Sequence, residues 1–294
     1  MSTDEERRIL DDIKKTGYPL EMDVTRQFME KGWSVFPEYI YSDESTGKLR
    51  TIDILAIRFF EHPPEKWTEK LTVFFGGLKS YWLPILLVEF KTSENPWVFF
   101  TTPSRFGDSA QHFKESIDMH FLTSHVLTFV SFLKPYIAKS GPDLDQHIIN
   151  ECLNEIMKLH FVDPNLSRAY RSHVVGRKED DPNDFQKAIY QLRGASLGLA
   201  ESFPETPISA VVVLRGKLFE YKTNGKLESA EHLLYTTFQT LPSKSKSSER
   251  RIWIPPVMID VVVEAHLSEY LEKLEKDFDV LNRIHRILEE QSQT

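Results

Sequence analysis

The sequence predicts an α/β protein with a central mixed sheet flanked by helices and a mostly helical insertion. Strand-like stretches alternate with helical ones, which is typical of an α/β domain. The chain has 294 residues, of which 40% are hydrophobic and 27% charged, so it has enough apolar material for a full core. The segment 93–180 holds several helical stretches and separates two strand-rich parts.

The first part of the predicted core spans 1–92. Apolar residues at helical spacing over 20–29 predict a helix that stops at Gly32. A turn with Gly47 at its tip is predicted further on. Three strands are predicted to follow the helix, at 33–43, 49–60 and 83–92.

The middle segment, 93–180, is predicted to be a helical insertion, with helices at roughly 108–122, 124–138 and 144–160. The second part of the core, 181–294, opens with a helix start at "DDPND". It continues with the apolar strands "ISAVVVLRG" and "WIPPVMIDVVVEA", a hairpin turn at Asn224–Gly225, and a long final helix.

Charge, cysteine content and hydropathy limit the classes of function. The formal net charge of −8 excludes a polybasic nucleic-acid coat protein. Cys152 is the only cysteine, so neither an intramolecular disulfide nor a thiolate zinc cluster can form. The charged N-terminal stretch lacks the apolar segment of a signal peptide, which together with the single cysteine predicts a cytoplasmic protein. No segment reaches the ~18 uncharged apolar residues of a spanning helix, so we expect no membrane partner.

Two opposite charges interrupt the most apolar of the early strands, "LLVEFKTS". Glu89 and Lys91 are two positions apart, so their side chains project from the same face of the strand. Burying an unpaired charge costs on the order of several kcal/mol. Asp53 likewise interrupts the apolar strand "TIDILAI", and Glu21 opens the first predicted helix. A surface ion pair, a strand-edge aspartate and a dipole-complementing glutamate would explain these residues only one at a time.

A divalent metal ion explains them together. Mg²⁺ prefers carboxylate oxygens, waters and substrate phosphate as ligands. Asp53 and Glu89 could supply such oxygens from adjacent strands, and the ion would neutralise charges that apolar strands cannot solvate. Lys91, on the same face as Glu89, could orient an attacking water or stabilise charge at a phosphate. The sequence therefore predicts metal-assisted hydrolysis of a phosphodiester.

This arrangement resembles the PD-(D/E)XK nuclease superfamily, through "GYPLE", "TID" and "VEFK" in that order. The resemblance implies a restriction-endonuclease-like core and Mg²⁺ or Mn²⁺ as the cofactor. It implies that Asp53, Glu89 and the backbone carbonyl of Phe90 bind the metal ion. Lys91 corresponds to the family's catalytic lysine, and Glu21 to its supporting helical acid.

A further stretch, "QKAIY", is similar to the Gln-X-X-X-Tyr helix of RecB-like members of the superfamily. The similarity implies that Gln186 and Tyr190 lie beside the active site, with Gln191 as the alternative to Gln186. The chain departs from the family in the long excursion between the Asp53 and Glu89 strands. It also departs in the insertion that delays the "QKAIY" helix.

The resemblance implies a nuclease that acts on DNA in a restriction, defence or repair role, with RNA left open as a substrate. The alternative is an inactive restriction-endonuclease-like module that binds nucleic acid or a protein partner, because a fold does not determine a function. Asp53, Glu89 and Lys91 are all present, which favours an active site.

The final predicted helix, 265–291, carries an apolar stripe at spacings of three and four. The stripe consists of Leu267, Leu271, Leu274, Phe278, Leu281 and Leu288. It could cover the central sheet, but a helix of about 40 Å is longer than short strands require. We therefore expect a homodimer that pairs the outer half of this helix.

Overall fold

The computed structural model describes most of the predicted core and the ends of the segment 93–180. The described residues are 3–43, 47–58, 84–102, 151–152, 154–155, 158–160, 163, 165–176, 184–202, 208–237 and 257–291. The helices are α1 (Thr3–Lys15), α2 (Tyr18–Glu30), α3 (Asp184–Ser202) and α4 (Leu267–Gln291), the last preceded by a 3₁₀ turn at Glu264–His266. None of the helices in the described ranges is long and apolar enough to span a membrane.

Ten described strands form one mixed sheet. They are β1 (Trp33–Asp43), β2 (Lys48–Arg58), β3 (Ile85–Thr92), β4 (Trp97–Thr102), β5 (Arg168–Val174), β6 (Ile208–Arg215), β7 (Leu218–Lys222), β8 (Leu227–Ser229), β9 (His232–Thr237) and β10 (Val257–Val263). Their order across the sheet is β1-β2-β3-β6-β10-β9-β5-β4-β7-β8. The predicted α/β class with a central mixed sheet and flanking helices is confirmed.

The middle of the sheet is parallel and its first edge is antiparallel. β1, β2 and β3 pair antiparallel in sequence order, whereas β6 pairs parallel with both β3 and β10. β6 reads "ISAVVVLR" and is buried from Ile208 to Leu214, as expected for a parallel strand covered on both faces. This arrangement puts β3, the strand of Glu89, in the interior of the sheet.

The two faces of the sheet carry separate hydrophobic clusters. One cluster packs beneath α2 and α4, and we call this side the α2–α4 face. The other packs beneath α3, and we call this side the α3 face. Alternate residues of β3 divide between them: Val88 and Phe90 join the cluster on the α2–α4 face, and Leu87 joins the one on the α3 face. Glu89, between Val88 and Phe90, therefore points to the α3 face.

Turn chemistry agrees with the predicted boundaries. α2 has Pro19 in its first turn, and the chain leaves it through Gly32 at a φ of 78°. Gly32 thus supplies the left-handed conformation that other residues avoid. The Asn224–Gly225 turn joins β7 to β8, with Gly225 at a φ of 80°. Helix α1 was not predicted.

The segment 93–180 begins and ends in strands of the main sheet, which corrects the prediction of an insertion outside the core. β4 pairs with β5 and β7. In "WVFFTT" the buried residues Trp97, Phe99 and Thr101 alternate with less buried ones, which is typical of a strand. Trp97 and Phe99 are buried against Phe185 of α3. The predicted helices at 108–122 and 124–138 lie outside the described residues. The one at 144–160 is described only near its end, where 151–152 and 154–155 are helical.

The apolar stripe of α4 covers the sheet of its own chain. Leu274, Phe278 and Leu281 are all buried in the cluster on the α2–α4 face, together with Ile284. The side chain of Leu288 lies outside the described residues. Phe278 and Leu281, in the outer half of the helix, are therefore not exposed as expected. The exposed apolar surface on which the predicted homodimer depended is absent from the described part of the stripe.

Candidate metal site between two strands

Asp53 and Glu89 lie side by side on paired strands. Ile54 is opposite Val88 in the antiparallel ladder of β2 and β3, so Asp53 and Glu89 come next along it. Asp53 Oδ2 accepts a hydrogen bond of 2.7 Å from the backbone N–H of Phe90. The backbone N–H of Asp53 lies close enough to the Glu89 carboxylate to lower its pKa. The two carboxylates that were predicted to share one cation are therefore neighbours.

The Glu89 carboxylate is buried and only half satisfied. Glu89 is 1% exposed, and its Oε2 accepts a hydrogen bond of 3.0 Å from Lys91 Nζ. Its Oε1 is buried and has no hydrogen-bond partner among the described residues. Burial raises the pKa of Glu89 to about 7, with Lys91 opposing the rise and Asp53 adding to it. An unpaired buried oxygen of this kind costs about 1–3 kcal/mol, and a positively charged partner would remove that cost.

A second Glu-X-Lys pair in the sheet shows what a structural pair looks like. Glu220 and Lys222 occupy β7 at the same spacing, and Glu220 is also buried. Glu220 Oε2 accepts a hydrogen bond from Thr101 Oγ1, and Glu220 Oε1 lies 3.2 Å from Lys222 Nζ. Both oxygens of Glu220 therefore have partners. Spacing alone does not distinguish the two pairs, but the orphan oxygen of Glu89 does.

Lys91 lies where the buried strand meets solvent. Its side chain is 18% exposed, whereas that of Glu89 is almost completely covered. The ammonium group reaches Glu89 on the same face of β3, as their spacing predicts. It is therefore a cation positioned at the open rim of a carboxylate site.

Glu21 approaches the same site from the other face of the sheet. It lies in the first turn of α2 and is partly buried. Burial raises its pKa, and the negative charges of Asp53 and Glu38 raise it further. Glu21 thus lies within electrostatic reach of Asp53, and its role as a supporting acid stays a prediction. Among the described residues, however, Glu21, Asp53 and Glu89 do not bring three ligand atoms within 4.8 Å of one another.

Asp53 can face both sides because β1 and β2 both change faces at this point. In β2, Ile52 joins the cluster on the α3 face and Ile54 the one on the α2–α4 face, although residues two apart normally share a face. In β1, the switch centres on Glu38, which has a φ of 50°. Glu38 and Asp53 are not paired in the ladder of β1 and β2, but the pairs on either side of them keep the same register. A local twist therefore brings a helix-borne acid and a strand-borne acid together.

Sequence reasoning missed Glu38 and Tyr41. Pro37 was the available signal for Glu38, since proline inside a strand marks an edge or a bulge. Tyr41 donates a hydrogen bond of 3.0 Å to the carbonyl oxygen of Gln191. Burial raises the pKa of Tyr41 to about 12, and the charges of Asp43 and Glu89 contribute to the rise. No pattern in the sequence indicated that this tyrosine lies near Glu89.

Helix α3 reaches the site strands through Gln191. Gln191 Nε2 donates a hydrogen bond of 3.2 Å to the backbone carbonyl of Thr51 in β2. Gln186 and Tyr190 lie on the exposed side of α3. Tyr190 contributes to the raised pKa of Tyr235 of β9, three strands away from β3. Gln191, the alternative to Gln186, thus contacts β2, the strand of Asp53, whereas the roles of Gln186 and Tyr190 stay predictions.

The metal ligands implied by the resemblance are thus brought together in part. Asp53 and Glu89 are adjacent and Lys91 is bonded to Glu89. Phe90 contributes its N–H to Asp53, and the role of its carbonyl stays a prediction. Comparisons of the chain with protein-family models, with curated proteins and with solved structures found no match.

Proposed function

We propose that the protein is a Mg²⁺-dependent nuclease that hydrolyses phosphodiester bonds in DNA, with the active site at Asp53, Glu89 and Lys91. The observation that carries the proposal is the buried Glu89 carboxylate, which has an unpartnered oxygen beside Asp53. If this side chain only filled space, glutamine or leucine would do so better than a carboxylate, because neither carries a buried charge.

The charges around the site support a cation. The negative charge of Asp53 raises the pKa of both Glu21 and Glu89, and Lys91 is the cation bonded to Glu89. Hard divalent ions take carboxylate oxygens, so Asp53 and Glu89 would hold Mg²⁺ or Mn²⁺. When bound, such an ion activates water and polarises a phosphoryl oxygen.

The side chains have separable tasks in this proposal. Asp53 is oriented by the Phe90 N–H, so its second oxygen is left for a ligand. Lys91 sits at the solvent rim, where its ammonium group can hold an attacking water or a phosphate oxygen. Glu21 adds negative charge next to Asp53 and favours the cation.

A cleavage panel tests the proposal. Linear, circular, single-stranded and double-stranded DNA, together with RNA, are incubated with the protein in Mg²⁺, Mn²⁺ or EDTA. We expect cleavage of DNA in either metal ion and none in EDTA. Cleavage of RNA alone would support the assigned site but show that the substrate is RNA rather than DNA. Binding without cleavage would support the alternative, an inactive module that recognises nucleic acid or a protein partner.

Two matched variants make the panel specific to the site. Asp53→Asn keeps an acceptor for the Phe90 N–H and removes the charge, so we expect a folded protein with activity lowered more than about 100-fold. Asp53→Ala is a poorer test, since it leaves that N–H unpaired at a cost of about 1–3 kcal/mol. Glu220→Gln alters the other buried Glu-X-Lys pair and is expected to retain activity. Equal activity in Asp53→Asn and the unaltered protein would contradict the assigned ligand.

A further inference from the structure

A second cluster of titratable side chains lies beneath α4, on the face opposite to that of Glu89. Asp260 of β10 is 1% exposed and points to the α2–α4 face, since Ile259 and Val261 on either side of it belong to the α3-face cluster. Asp260 Oδ1 lies 2.7 Å from His232 Nε2 and 3.2 Å from His160 Nε2. Asp260 Oδ2 accepts a hydrogen bond of 3.0 Å from the Tyr270 hydroxyl.

We propose that His160 Nε2, His232 Nε2 and Asp260 Oδ1 bind one divalent transition-metal ion, with Zn²⁺ as the expected occupant. Each of the three residues offers a ligand atom, and these atoms lie within 4.8 Å of one another. In a tetrahedral zinc site with bonds of 2.0–2.1 Å, neighbouring ligand atoms are about 3.3 Å apart. The 3.2 Å distance from His160 Nε2 to Asp260 Oδ1 matches this value. The 2.7 Å distance from His232 Nε2 is shorter, so the His232 ring would have to move outward by about 0.6 Å to bind the ion. Two imidazoles and a carboxylate suit zinc better than magnesium, which prefers oxygen alone.

The surroundings of His160 are those of a metal-bound histidine. Its Nδ1 contacts Asp277 Oδ2, and its backbone N–H donates a hydrogen bond of 2.8 Å to Asp277 Oδ1. Such a carboxylate fixes the ring so that the other nitrogen faces a metal ion, and raises the basicity of the ligand. The Tyr270 hydroxyl likewise orients Asp260 through Oδ2, the oxygen that would not bind the ion. His232 is oriented through Nε2, because its Nδ1 has no hydrogen-bond partner among the described residues.

The charges also favour a divalent ion. Asp260 and Asp277 are both buried, and both contact the ring of His160. Two neutral imidazoles and a dication would balance two carboxylates. Buried ionic groups that lack such compensation destabilise the folded chain.

The bound ion would tie together segments that are far apart in the chain. Asp260 belongs to β10, His232 begins β9, and His160 follows the helical residues 151–152 and 154–155. Asp277 and Tyr270 connect the same cluster to α4. A ligand that binds only the folded state stabilises it, so the site would anchor α4 and the residues around His160 to the sheet.

An exposed group elsewhere provides a matched control. Glu231, His266 and Glu269 also place three ligand atoms within 4.8 Å of one another. Their side chains are partly or largely exposed, and the two carboxylates lie 3.4 and 3.6 Å from His266 Nδ1. An exposed acidic group of this kind is common without any ion, so we assign no site to it.

The proposal is tested by metal analysis of the full chain, purified and dialysed against metal-free buffer. We expect about one Zn²⁺ per chain. Exchange for Co²⁺ should produce visible absorption bands of a low-symmetry nitrogen and oxygen site. Removal of the ion with 1,10-phenanthroline should lower the Tm by on the order of 5 °C, and added Zn²⁺ should restore it. A chain that contains no zinc and develops no visible Co²⁺ band would overturn the proposal.

Variants connect the ion to these residues. His232→Ala should lose the metal ion and the Co²⁺ spectrum, whereas His266→Ala should keep both. Asp277→Asn should bind Zn²⁺ roughly 10- to 100-fold more weakly without losing the site. Glu89→Gln should retain the zinc, which separates this site from the proposed nuclease site. Full zinc content in a folded His232→Ala protein would contradict the assignment. If His232→Ala does not fold, two other measurements test the assignment: the Co²⁺ spectrum of the unaltered protein and the Zn²⁺ affinity of Asp277→Asn.

Discussion

At the scale of single residues, the environment of a side chain distinguishes two identical motifs. Glu89 and Glu220 each precede a lysine by two positions on a strand and are both buried. Glu220 has a partner for each oxygen, whereas Glu89 has one oxygen without a partner among the described residues. The Glu89 pair is therefore a candidate for binding and the Glu220 pair a structural link between strands.

Replacing Glu89 by glutamine should stabilise the metal-free protein above neutral pH. Burial raises the pKa of Glu89 from 4.5 to about 7. A raised pKa in the folded state gives stability that is present below pH 4.5 and is lost as the pH rises through 7. Glutamine does not ionise, so Glu89→Gln should gain roughly 2 to 3 kcal/mol over the unaltered protein at pH 8. The gain should shrink towards zero near pH 4.5.

Urea unfolding in EDTA at pH 5 and pH 8 measures this difference. Glu220→Gln is the control, because its oxygens have partners and no comparable gain is expected at pH 8. Added Mg²⁺ should stabilise the unaltered protein and leave Glu89→Gln unchanged. A pH-independent difference between Glu89→Gln and the unaltered protein would show that Glu89 is not a strained carboxylate.

At the scale of the elements, a twist in the β1–β2 ribbon assembles the site. Both strands change faces at Glu38 and Asp53, without a change of register. The twist exposes Asp53 to Glu21 on one side and to Glu89 on the other. Backbone strain of this sort is found at functional sites, where the surrounding structure compensates for it.

Replacing Glu38 by glycine should stabilise the fold. A non-glycine residue at a φ of 50° costs about 1–2 kcal/mol, which glycine does not incur. We therefore expect Glu38→Gly to raise the free energy of unfolding by about 1 kcal/mol, since glycine also loses more entropy on folding. Glu38→Gln removes the charge without relieving the backbone and serves as the control. Thermal unfolding compares them, and equal Tm values for the two variants would locate the effect in the charge.

At the scale of the whole molecule, α4 acts as a core element of one chain. Phe278 is 1% exposed and contacts Trp33, and Leu281 and Ile284 are buried beside it. Its stripe packs against α2 and against β1, β2, β3, β6 and β10, all strands that the sequence predicted, with Leu234 of β9 in the same cluster. No described apolar side chain of the stripe is therefore left for a second copy.

The double variant Phe278→Glu and Leu281→Glu should unfold the chain. Two buried apolar side chains replaced by charges should cost more than about 4 kcal/mol. Circular dichroism and light scattering together measure the outcome. A folded double variant that changes from a dimer to a monomer would instead establish the pairing of helices that the sequence suggested.

The sequence by itself determined the elements that depend on neighbours along the chain. The alternation of "TIDILAI" and "LLVEFKTS", the glycine that ends α2, the Asn224–Gly225 turn and the final helix are all local patterns, and they predicted β2, β3, β7, β8 and α4. Local patterns also identified Asp53, Glu89 and Lys91 as candidate site residues, because a charged residue within an apolar strand can be recognised from the sequence alone.

Only the tertiary structure decided which of these charges have partners and which segments meet. Glu220 Oε2 has its partner in Thr101, 119 positions away, whereas Glu89 Oε1 has no partner among the described residues. The contact of His160 with Asp260 joins residues 100 positions apart. Strands β4 and β5 enter the sheet by pairing with β7 and β9, far along the chain. Such pairings depend on the free energy of burial and hydrogen bonding summed over the folded chain, which no short stretch of sequence contains.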